Sequence, residues 1–123
     1  MPDFPTTIFV CTTCRSTGEA FEPESGRSGF KFFHDIKTVA NGDPRFKIEP
    51  VECLSSCDKS CNVTFAAKNK WSYGFSGLDP LTQAQDVLDV AKLHYETPDG
   101  VIPWFERPEK IRAKSTSRIP PIL

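Results

Sequence analysis

The sequence predicts an α/β fold: a mixed sheet with helices packed on it, laid down in the order β-α-β-β-β-α. Apolar residues alternate at the period of a strand in four short segments and recur at the helical period in two longer ones. Asn-Gly, Asp-Pro and Lys-Asn-Lys turns stand between those segments, where the chain must reverse.

Thr6-Thr7-Ile8-Phe9-Val10 is rich in β-branched and aromatic residues and reads as a buried strand ending at Cys11. Residues 15–29 hold Ser, Gly, Glu and Pro without apolar periodicity, as a loop does. Phe30, Phe33, Ile36 and Ala40 then recur at helical spacing, with Phe32 and Val39 widening the stripe and Asn41-Gly42 as the stop. Phe46 and Ile48 alternate with Arg45, Lys47 and Glu49 in a second strand that ends near Val51. Strand, helix and strand make a βαβ unit. Residues 62–67 and the alternation of Trp71, Tyr73 and Phe75 form a hairpin about Lys68-Asn69-Lys70. Asp79-Pro80 offers an N-cap and a first-turn proline to a last helix carrying Leu81, Ala84, Leu88, Ala91 and Tyr95 on one face, with Val87 beside it. That order is an α/β sandwich of thioredoxin type.

The sandwich occupies residues 1–96, and residues 97–123 form a proline-rich basic tail, expected to be extended. From Val101 on, Arg107, Lys110, Arg112, Lys114 and Arg118 stand against Glu106 and Glu109, a net +3 that leaves −4 for the rest. Trp104 and Phe105 in that tail are expected to pack on their own domain, because exposed large aromatics are costly. A net charge of −1 over 123 residues gives no field that argues for nucleic acid or a membrane surface. No stretch approaches the roughly 18 apolar residues of a membrane span. The start, Met1-Pro2-Asp3-Phe4-Pro5, lacks the basic residues of a signal peptide. A cytoplasmic protein is expected, with neither nucleic acid nor membrane as partner.

The chemistry lies in five cysteines, an odd count that does not suit a closed disulfide framework. Cys11 and Cys14 form one group; Cys53, Cys57 and Cys61 form the other. In a βαβ unit both strands end on the same edge of the sheet, so Cys11 and Cys53, each directly after a strand, project from one place. Clustered thiolates repel one another unless a cation neutralises them, so a metal centre is the simplest account. Three chemistries compete: an iron–sulfur cluster on four thiolates, a structural zinc, and a thioredoxin-like dithiol at Cys11-Thr12-Thr13-Cys14. The dithiol lacks a helix N-terminus to stabilise its thiolate and leaves three cysteines without a role. His34 and His94 have no ligand spacing and read as ordinary helix residues.

The run Val51-Glu52-Cys53-Leu54-Ser55-Ser56-Cys57, followed by Val63-Thr64-Phe65-Ala66-Ala67 and Trp71-Ser72-Tyr73-Gly74, resembles the thioredoxin-like 2Fe-2S ferredoxins over roughly residues 6–95. It is also similar to the small subunit of NADH dehydrogenases. The resemblance implies a 2Fe-2S cluster with Cys11, Cys53 and Cys57 as ligands. The sequence departs from that pattern at Cys14, which lies closer to Cys11 than the second early cysteine of those families does, and at Cys61, which is additional. Those two compete for the fourth position. Cys11 through Arg15, Cys53 through Cys61, and the tail segments Gly100 through Pro108 and Arg118 through Pro121 also resemble an uncharacterised bacterial family of small predicted metal-binding proteins. Members often occur with cobalamin-biosynthesis genes, which implies a link to cobalt handling or corrin reduction.

The expected function is therefore a one-electron carrier rather than an enzyme, with a redox partner protein and a possible homodimer. The alternative is a zinc- or cobalt-handling protein. Backbone N–H groups of residues 12–13 and 54–56 are candidate donors to sulfur, and Arg15 and Lys59 candidate counter-charges.

Overall fold

The computed structural model describes residues 4–12, 27–52 and 61–121. In chain order these form β1 (Thr6–Cys11), α1 (Ser28–Ala40), β2 (Phe46–Val51), β3 (Val63–Ala66), β4 (Ser72–Phe75), α2 (Ala84–Glu96) and β5 (Ser115–Ile119). The strands make one mixed sheet in the spatial order β2-β1-β3-β4-β5. β1 and β2 are parallel, with Thr6 opposite Phe46 and Cys11 opposite Val51; every other pairing is antiparallel. α1 is the crossover that the parallel pair requires. Both helices pack on β1 and on each other.

Strand alternation sorts the sheet into a core face and an outer face. β1 buries Ile8 and Val10 under the helices and leaves Thr7 and Phe9 half-buried on the other side. β3 buries Val63 and Phe65, and β4 buries Tyr73 and Phe75. Phe65 and Phe75 meet edge to face, their ring centroids 5.5 Å apart. Against these strands α1 sets Phe32, Phe33 and Ile36, and α2 sets Val87, Leu88, Val90 and Ala91. Each of these side chains larger than Ala91 contributes about 1.5–3 kcal/mol through burial. α1 ends where expected. Asn41 turns left-handed (φ 48°) with its N–H on the Lys37 carbonyl at 3.1 Å, and Gly42 follows at φ +74°.

The last helix starts later than Asp79-Pro80 predicts. Asp79 Oδ1 accepts the Leu81 N–H at 2.9 Å and its carbonyl accepts the Gln83 N–H at 3.1 Å, which closes a separate turn. Gln83, only 3% exposed, holds the true start: its Oε1 accepts from Asp79 N at 2.7 Å and from Lys114 Nζ at 3.1 Å, and its Nε2 donates to the Lys110 carbonyl at 3.2 Å. Those part-buried hydrogen bonds of a buried side chain outweigh the exposed Asp-Pro cap. The buried face is rotated accordingly. Leu81 is 87% exposed, and His94 takes a core position instead.

The tail holds a fifth strand that composition did not suggest. β5 pairs along β4 at the sheet edge, with Arg118 stacked 4.5 Å from the Trp71 ring centroid. Trp104 and Phe105 do not pack inward as expected; they are 46% and 85% exposed. Ile102 and Ile111 enter the core in their place. Arg107 lies over the Tyr73 and Phe75 rings, its Nη2 donating to the Ile102 carbonyl at 2.9 Å. Among the described residues, no helix is long and apolar enough to cross a membrane.

Candidate metal centre

β1 ends in the middle of the sheet edge, flanked on both sides. On one side Cys11 stands opposite Val51, and the Thr12 N–H and hydroxyl both donate to the Val51 carbonyl, at 2.9 and 3.2 Å. The Cys11 Sγ lies 3.7 Å from the Glu52 carbonyl oxygen, which accepts the thiol hydrogen. On the other side the Cys11 N–H donates to the Asn62 carbonyl at 3.1 Å. Cys11 is fully buried. Cys11 is thus bonded to Glu52 on one side and to Asn62 on the other, the described residues next to the stretch that carries Cys53, Cys57 and Cys61 in sequence.

Cys61 is held by a different neighbour. Its N–H donates to the Leu78 carbonyl and its carbonyl accepts from the Leu78 N–H, both at 3.1 Å. It too is fully buried, within the apolar core. Of the sequence-predicted ligands, Cys14, Cys53 and Cys57 lie outside the described residues, as do Arg15, Lys59 and the 54–56 amides. Among the described residues, no group of three His, Cys, Asp or Glu side chains is gathered about a common point.

At the opposite end of β1 lies a polar cluster that the sequence reading missed. His94 Nε2 donates to the Trp71 carbonyl at 2.7 Å; a carbonyl only accepts, so this nitrogen carries the proton. Nδ1 then accepts the Thr6 hydroxyl at 2.8 Å. Lys70 Nζ donates to the carbonyls of His94 and Tyr95, each at 2.8 Å, closing the C-terminus of α2. The Trp71 N–H donates to the Asp99 carbonyl at 2.8 Å. Burial, chiefly, holds the His94 imidazole below its usual range, and the Lys70 charge adds to this. Burial also lowers Lys70, against the pull of Asp99. The signal was present in the spacing: His94 follows Val87 and Ala91 at i+7 and i+3 on the apolar stripe.

Gly100 closes that cluster at φ +79°, and a Cβ there would sit 2.7 Å from Lys70 Cβ and 3.0 Å from His94 Nε2. Gly100→Ala is therefore expected to destabilise the fold by about 1–3 kcal/mol. Thermal unfolding checks this; an unchanged Tm would refute the close packing.

A family model described as a protein of unknown function, DUF1636, matches residues 8–121. The chain belongs to the DUF1636 family. A search of curated proteins gives no match for this DUF1636 chain. Among solved structures it is similar to a thioredoxin-like 2Fe-2S ferredoxin from Aquifex aeolicus, at 18% identity and a TM-score of 0.56, covering 97% of each chain. A 1.5 Å crystal structure of the wild-type ferredoxin of that description, also from Aquifex aeolicus, matches at 18% identity and a TM-score of 0.49, over 75% of this chain and 86% of the other. The first likeness spans nearly all of the DUF1636 chain, and the fold is accordingly that of the thioredoxin-like ferredoxins.

Proposed function

We propose that this protein binds a 2Fe-2S cluster through cysteine thiolates at the C-terminal edge of β1 and β2, and passes single electrons to a partner protein as a carrier rather than an enzyme. The placement of Cys11 carries the reading. It is a soft sulfur donor kept from water, at the edge where the chain passes from Glu52 into Cys53 and from Cys61 into Asn62. That donor chemistry fits: thiolate sulfur is what such clusters take. The likeness in fold to a 2Fe-2S ferredoxin supports the same assignment. When bound, the cluster supplies a one-electron couple. Cys11 would hold it as a thiolate, giving up the thiol hydrogen bond to the Glu52 carbonyl while its N–H stays on the Asn62 carbonyl.

Protein purified without oxygen is expected to be brown, with sulfur-to-iron charge-transfer bands that bleach on reduction, and with acid-labile sulfide matching its iron. A colourless protein holding stoichiometric zinc and no sulfide would overturn the proposal, because zinc has a filled d shell.

A further inference from the structure

Five cysteines are available to a centre that takes four thiolates. Strand alternation separates the two that the structure describes. On β1, Ile8 and Val10 lie on the core face, so Cys11 falls on the outer face. On the approach to β3, Val63 and Phe65 lie on the core face, and Cys61 shares their parity. The Leu78 pairing agrees. Residues that exchange both backbone hydrogen bonds stand directly opposite one another with side chains on the same side. Leu78, 1% exposed, belongs to the apolar core, as Cys61 does. On the β3 side Cys11 meets Asn62, whose carbonyl accepts the Cys11 N–H, and Asn62 has the opposite parity to Cys61.

We infer that Cys61 stands outside the ligand set and serves as a core side chain behind the centre. The inference rests on the proposed cysteine-ligated cluster. It leaves Cys14 to join Cys11, Cys53 and Cys57, by count. Cysteine behaves as a small apolar side chain when buried among others, which is the role its position gives it here.

Cys61→Ala and Cys61→Val, purified without oxygen, test this against the parent protein. Iron and acid-labile sulfide per chain are expected to match the parent, with the same visible bands and the same electron paramagnetic resonance signal after reduction. Cys14→Ser is expected to lose them. If either Cys61 variant shows the parent's far-UV circular dichroism but loses its iron, the inference is wrong. A second measurement does not depend on cluster content. In chelator-treated protein that retains its fold, Cys61 is expected to resist alkylation, mapped by mass spectrometry, until denaturant is added. Alkylation of Cys61 in the folded state as fast as Cys14 would overturn it. Absence of iron and sulfide from the parent would sink the proposed function, and the alkylation map would still decide the placement of Cys61.

Discussion

Cys11→Ser is expected to strip the protein of iron and sulfide while leaving its sheet intact. The substitution changes one atom, and a serine hydroxyl can still donate to the Glu52 carbonyl that now accepts from the thiol. The backbone bonds from the Cys11 N–H to Asn62 and from the Thr12 N–H to Val51 do not involve the Cys11 side chain and persist. The cost to folding is therefore about 1–2 kcal/mol, that of one altered buried hydrogen bond. The cost to the centre is far larger, because a hard, protonated oxygen replaces a thiolate in a site that takes sulfur. Iron and sulfide analysis together with far-UV circular dichroism separates the two effects. Full cluster content in Cys11→Ser would show that the end of β1 does not hold the centre. Loss of iron together with loss of the fold would point to a structural role for Cys11 instead.

The place of Cys11 was legible because it needs only two facts, a βαβ order and a cysteine at the end of its first strand. Both come from hydrophobic periodicity, the strongest local signal. The facing of Cys61 was not legible: the sequence left it competing with Cys14 for the fourth position, and its parity with residues 63 and 65 has meaning only because β3 buries Val63 and Phe65. Other features depend on long-range pairing that no local pattern announces. Ser115–Ile119 holds a single apolar residue and becomes a strand through backbone bonding to β4. Asp79-Pro80 is a good helix start that loses to Gln83, whose partners Lys110 and Lys114 are distant in sequence. Trp104 and Phe105 have the composition of core residues, yet Arg107 occupies the space over Tyr73 and Phe75. His94 looked ordinary because its partners, Thr6 and Trp71, come from the far ends of other strands.

Those partners make His94 a fully buried polar tie between two strands and the last helix, and His94→Ala is expected to cost about 3–5 kcal/mol. The change opens a cavity beside the end of α2 and leaves the buried Thr6 hydroxyl and the part-buried Trp71 carbonyl without the group that joins them. A domain of this size has about 5–15 kcal/mol in total, so the variant loses much of its margin. Acid should act at the same point. The folded imidazole titrates below the unfolded value of about 6.5, because burial disfavours its charged form and Lys70 repels it. Below that pH the unfolded chain binds a proton that the folded chain does not. Stability is thus complete above about pH 6.5 and falls as pH drops towards the folded pKa, by up to about 1.4 kcal/mol per pH unit. Asp99 favours the charged form of Lys70, which keeps that repulsion in place as the pH falls. Urea unfolding at steps from pH 7.5 to 5 measures the slope, with His94→Gln as the reference that cannot titrate. Equal slopes in the two proteins would remove His94 as the source. A steeper loss in the parent, with Cys11 and its neighbours unchanged, would place the acid-sensitive clasp at the end of β1 opposite Cys11.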